Sequence, residues 1–153
     1  MDFNVSAFLV AIGCCLLSLF IAGNSGSKAD KEWFANLSHP DNSFLLRIMK
    51  ILGVIIYLFF GFILYNLFVS GDIIPIALMI LIIQLNGLSP YLMYKTKNLK
   101  LFFFVMLIFP ILVSVLIFFL VQRNTILAIP VIVFLLWVVY DVSYYYRLMK
   151  LNK

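Results

Sequence analysis

The chain has 153 residues, a net charge of +5, 65% hydrophobic residues and 11% charged ones, with mean hydropathy +1.15. That leaves too few polar side chains to cover a water-soluble globule, so the bilayer is the expected solvent. The basic residues are spread thinly over the ends of apolar segments, which excludes a nucleic-acid surface as the source of the charge.

Five apolar stretches follow one another: roughly Phe3 to Ala22, Ile48 to Val69, Ile73 to Tyr94, Leu99 to Val121 and Ile126 to Tyr146. Each has about twenty residues, enough at ~1.5 Å per residue to cross a hydrocarbon core of ~30 Å as a helix. The opening Met-Asp-Phe-Asn-Val-Ser lacks the basic start of a signal peptide, so the first stretch is expected to be a permanent span. The expected fold is an all-α integral membrane bundle of five transmembrane helices, one domain over 1–153. In the first span Cys14 and Cys15 are adjacent and point different ways, as small apolar residues.

Between the first two spans lies a long loop, 23–47, opening with the flexible Gly-Asn-Ser-Gly-Ser. Ser27-Lys28-Ala29-Asp30 then has a capping-box pattern, and Trp33, Phe34 and Leu37 follow at near-helical spacing. A short amphipathic helix is expected there, acting as an interfacial anchor, as a lid over a cavity, or as both. The other connections are short (70–72, 95–98 and 122–125), which makes sequential spans antiparallel neighbours.

Lys28, Lys31, Arg47, Lys50, Lys95, Lys97, Lys100, Arg147, Lys150 and Lys153 fall beside the first loop, the third loop and the C-terminus, and Arg123 on the opposite side. By the positive-inside rule the C-terminus is cytoplasmic and the N-terminus outside. Basic residues at span ends also attract anionic lipid.

In the third span Pro90 frees the carbonyl of Asn86, and Asn86 and Ser89 lie on the same side of the helix to compensate. Gln84, Asn86 and Ser89 need partners inside the bundle, either as interhelical glue or as ligand contacts. Pro110, in mid-span, should kink the fourth helix, whereas Pro75 and Pro130 lie in or near a first turn. In the fifth span Pro130, Phe134, Trp137, Asp141 and Tyr144 form one helical stripe that should face the protein. Asp141 lies about 9 Å along the axis from Arg147. It either stays hydrated near the interface, pairs with Arg47 or Lys50, or serves as an ionisable switch.

A Ser-His-Asp set within reach, a Gly-rich phosphate loop and a metal cluster are all missing from the sequence; His39 is the single histidine. No catalytic residue, metal or cofactor is expected.

Trp33-Phe34-Ala35-Asn36-Leu37-Ser38-His39-Pro40 resembles the first-loop signature of the TspO/translocator-protein family, the tryptophan-rich sensory proteins. Tyr57 and Gly61 stand at the family's second-helix spacing. Gln84-Leu85-Asn86 followed by Leu88-Ser89-Pro90-Tyr91 is similar to its third-helix pattern with one residue fewer between Asn and Pro. The segment from Pro130 through Trp137 to Arg147 keeps the fifth-helix spacing. Several hallmarks differ: 42–45 reads Asn-Ser-Phe-Leu where the family has Trp-x-Pro-Pro, Gly53 and Leu88 replace tryptophans, Phe134 and Trp137 are swapped, and Val142 replaces an Asn.

The resemblance implies a pocket beneath the first loop for porphyrins, other tetrapyrroles, sterol-like or other flat apolar ligands. By matching positions it would be lined by Trp33, Pro40, Tyr57, Asn86, Ser89, Phe134 and Trp137, where aromatic rings stack and a few polar groups orient. It also implies a homodimer and, with bacterial members, a place in the cytoplasmic membrane. The light-dependent porphyrin breakdown reported for the family relies on pocket tryptophans, and with two Trp in the chain no enzymatic activity is carried over. The expectation is a membrane-embedded sensor, carrier or scavenger of an apolar ligand. The rival readings are a structural or regulatory subunit without a ligand, and a small proton-coupled transporter switched by Asp141.

Overall fold

A computed structural model describes the backbone of residues 4–40 and 43–153, and the side chains of residues 4–40 and 53–153. All of its regular elements are helices: α1 (Val5–Gly23), α2 (Lys28–Ala35), α3 (Ser43–Ser70), α4 (Ile73–Thr96), α5 (Leu99–Met106), α6 (Ile108–Arg123) and α7 (Thr125–Leu151). Among the described residues five spans long and apolar enough to cross a membrane result, with α5 and α6 together forming the fourth. The outward surface is apolar, as a lipid-facing surface must be: Phe20 is 69% exposed and Leu58 71%.

Local chemistry sets the ends. Asn4, Asn98 and Asn124 cap α1, α5 and α7, each accepting a backbone N–H of the first turn at 2.9–3.1 Å. Gly71, with φ +75°, supplies the left-handed residue that turns α3 into α4. The loop helix forms as its sequence predicts: Ser27 Oγ accepts the Asp30 N–H at 3.2 Å while Asp30 Oδ2 accepts the Ser27 N–H at 3.0 Å, a complete capping box.

Both mid-span prolines behave as expected. Pro90 stays inside a continuous α4, and Ser89 Oγ donates to the Asn86 carbonyl at 3.0 Å, supplying the donor that the proline ring removed. Pro110 acts more strongly: the fourth span breaks at Leu107, within the turn preceding it, into α5 and α6.

The helices form a ring. α1 packs on α3 and α4, α3 on α7, α7 on α5 and α6, and α6 back on α4. The core at its centre includes Phe60, Ile63, Leu64, Met79, Ile83, Val113, Leu116 and Phe134. The α1–α4 seam is the tightest: a Cβ on Gly87 would lie 2.9 Å from Ser18 Cα, so only glycine allows this approach.

Candidate functional site

A polar node joins α1, α3 and α4. Ser18 on α1 is fully buried. Its Oγ donates to the Ile83 carbonyl at 2.6 Å and lies 2.7 Å from Tyr57 Oη; with its proton so placed, it accepts from the tyrosine. Asn86 Nδ2 donates to the same Tyr57 oxygen at 3.2 Å, and Gln84 Nε2 donates to the Cys14 carbonyl at 3.1 Å. Asn86 and Gln84 are therefore interhelical glue, each reaching a different neighbouring helix. Inside a membrane bundle such bonds satisfy groups that lipid cannot.

From this node a chain of rings crosses the bundle. Tyr57 meets Phe60 edge-on at 5.9 Å between centroids, and Phe60 meets Phe134 edge-on at 4.8 Å. Phe134 forms part of a cleft of about 560 Å³ between α3 and α7, which also takes in Pro130, Trp137 and Tyr140. Ile129, Val133 and Leu136 on its rim are exposed, so the cleft opens sideways toward the acyl chains. Trp137 and Tyr140 are tilted against each other at 6.1 Å. The Tyr140 hydroxyl and Asp141 Oδ1 are buried without a hydrogen-bond partner among the described residues. Buried polar atoms left unpaired are costly, and they mark places where something else completes the bonding. A second apolar cleft, about 530 Å³, lies between α1 and α3 against Tyr57 and Gly61. The Tyr57 hydroxyl there is already engaged by Ser18 and Asn86.

The first loop is fastened across one end of the bundle. α2 packs on α4, with Phe34 edge-on to both Tyr94 (6.2 Å) and His39 (4.9 Å). His39 Nε2 donates to the Phe34 carbonyl at 2.9 Å, and Nδ1 lies 2.7 Å from the Tyr144 hydroxyl on α7. Ser38 N–H donates to Asn152 Oδ1 and Asn152 Nδ2 to the Ser38 carbonyl, both at 2.9 Å, clasping the loop to the end of α7. Asp30 pairs with Lys97 at 3.2 Å. The Ser27 hydroxyl first, then the Ser27 N–H and Lys97, hold the Asp30 carboxyl below the usual carboxylate range. At the opposite end Asp72 pairs with Arg123.

The seven residues expected to line one pocket are therefore distributed. Phe134 and Trp137 share the α3–α7 cleft; Tyr57 lines the α1–α3 cleft with Asn86 bonded behind it; Ser89 is turned to its own helix; Trp33 lies at the loop-bearing end, in a groove with the start of α5 and the end of α7. Pro40 is half-buried in the loop after His39. Trp137 is the polar neighbour of Asp141, one turn away. The side chains of Arg47 and Lys50, expected as its ion-pair partners, lie outside the described residues. Ser18, Gly87, Phe60 and Tyr140 were not expected. A mid-helix Ser in α1 and the single Gly of α4 were the available signal for the α1–α4 seam, and Tyr140 sits beside the recognised stripe rather than on it. Among the described residues no group of His, Cys, Asp or Glu is placed to hold a metal.

A comparison with individual curated proteins finds no match. Residues 10–150 match the TspO/MBR family. With nearly the whole chain matched and the five-span helical bundle in place, this integral membrane protein belongs to the TspO/MBR family.

Proposed function

We propose that the protein is a membrane-embedded binding protein, acting as a sensor or carrier, and that its ligand is a flat apolar molecule such as a porphyrin or sterol-like compound held in the α3–α7 cleft. One observation carries the reading: an aromatic cleft of about 560 Å³ is lined by Tyr140, whose hydroxyl is buried without a partner among the described residues. Its volume lies within the usual range for small-molecule sites, which combine apolar walls with a few orienting polar groups. Phe134 and Trp137 supply faces for a conjugated ring, and the open rim gives an apolar ligand access from the bilayer. Binding without porphyrin breakdown, a homodimer, and a cytoplasmic C-terminus with the N-terminus outside belong to the same proposal.

The two tryptophans lie in different places, so each single-Trp variant reports on one of them. Protoporphyrin IX titrated into the detergent-solubilised protein should quench Trp fluorescence saturably at micromolar concentration. Tyr140→Phe should weaken that binding about fivefold, the worth of one hydrogen bond. With Trp33→Phe the remaining Trp137 signal should still saturate. Quenching that rises linearly, without saturation and indifferent to Tyr140→Phe, would refute the cleft as the site and favour a subunit without a ligand.

Asp141 Oδ1, unpartnered among the described residues, also supports a second reading, a proton-coupled carrier. Flux in vesicles that keeps its pH dependence after Asp141→Asn would exclude it.

A further inference from the structure

At the loop-bearing end of the bundle a groove of about 860 Å³ runs between α2, the start of α5 and the end of α7. Lys97, Lys100, Lys150 and Lys153 all border it, and no Asp or Glu does among the described residues. Lys97 is held by Asp30 at 3.2 Å and sits 5.9 Å from the centre of the Trp33 ring. Lys150 lies 5.4 Å from the Tyr146 ring. Lys100 and Lys153 have no carboxylate partner among the described residues. The groove thus gathers four ammonium groups around a concavity and neutralises one of them.

Its position identifies the occupant. Phe104 and Tyr146, both exposed, border the groove at the end of the spans, where aromatic side chains mark the level of the lipid headgroups. The N-terminus of α5, at Asn98 to Lys100, opens on the same space and adds the positive end of a helix. Lys97 reaches its place through a left-handed backbone, φ +50° and ψ 23°, at the end of α4. That conformation is uncommon for a residue with a side chain and is kept where surrounding contacts enforce it.

We propose that this groove binds the phosphate headgroup of an anionic phospholipid, with its acyl chains lying along the apolar outer faces of α5 and α7. The phosphate is shared between Lys100 and Lys150, and Trp33 and Leu37 of the first loop form the far wall. A lipid seated there reinforces the fastening of the loop that the Asp30–Lys97 pair begins. The site is separate from the α3–α7 cleft and does not depend on it.

The test uses the full chain carrying Trp137→Phe, which leaves Trp33 as the single tryptophan, in vesicles of phosphatidylcholine with an equal small fraction of dibrominated phosphatidylglycerol or dibrominated phosphatidylcholine. Trp33 quenching should favour the brominated phosphatidylglycerol by about fivefold. The preference should vanish in Lys100→Gln/Lys150→Gln, with quenching by the brominated phosphatidylcholine unchanged as the sign of an intact fold. It should survive Lys28→Gln/Lys31→Gln, which removes equal charge from exposed loop positions outside the groove. Equal quenching by both lipids, an equal loss in both lysine pairs, or abolition by millimolar inorganic phosphate would each overturn the proposal, the last by showing a site for free phosphate instead.

Discussion

The α1–α4 seam and the α3–α7 cleft are both contacts between apolar helices, yet they are built in opposite ways. In the seam Gly87 lets the backbones touch, and Ser18 and Gln84 bond across it to the Ile83 and Cys14 carbonyls. In the cleft a gap lies between α3 and α7, and the hydroxyl of Tyr140, which lines it, is left unpaired among the described residues. Lipid tails cover apolar surface about as well as another helix does, so helices associate through close packing and satisfied polar groups. A seam that has both is a structural joint. A gap lined by a residue with an unpaired hydroxyl is suited to a guest.

Breaking the seam should have the largest effect. Gly87→Ala forces the α1 and α4 backbones apart, which should cost about 1–3 kcal/mol and lower the melting temperature in detergent. Ser18→Ala removes the donor to Ile83 and one partner of Tyr57 while leaving Asn86 on the tyrosine, and should cost ~1 kcal/mol in the same melt. Tyr140→Phe should contrast with both. Losing a hydroxyl that has no partner among the described residues should leave stability within ~0.5 kcal/mol of wild type, or raise it, while porphyrin affinity falls. Destabilisation equal to that of Ser18→Ala would mean that the cleft is a joint like the seam.

The smallest effect concerns the loop. A carboxyl held below its ordinary range contributes its stabilisation above the unfolded value, about 3.9, and loses it as pH falls through the lower folded value. Acrylamide quenching of Trp33 should therefore stay constant from pH 8 to 5 and rise below about pH 4. Asp30→Asn should raise it modestly at pH 7. A transition near pH 6 would place the titrating group elsewhere.

Much of the architecture was legible in the sequence because its causes are local. Hydrophobic runs gave five spans, Ser27 and Asp30 gave the capping box, and Pro90 with Ser89 and Pro110 gave one compensated and one broken helix. The candidate site was less legible because its causes are distant in the chain. Ser18 and Gly87 are informative only once α1 and α4 are adjacent, and a position in an apolar helix does not declare which neighbour it meets. The residues matched to a single family pocket lie in several places for the same reason: spacing along a helix fixes a face, while the ring of helices decides what that face borders.

The most direct measurement of the central claim is cysteine protection in a Cys14→Ala/Cys15→Ala background. Val133→Cys places a thiol on the rim of the α3–α7 cleft, and Leu17→Cys places one on the exposed outer face of α1. Saturating protoporphyrin IX should slow maleimide labelling at position 133 about tenfold, reflecting ~90% occupancy, and leave position 17 unchanged. Equal labelling with and without porphyrin at both positions, or equal slowing at both, would contradict a ligand held between α3 and α7.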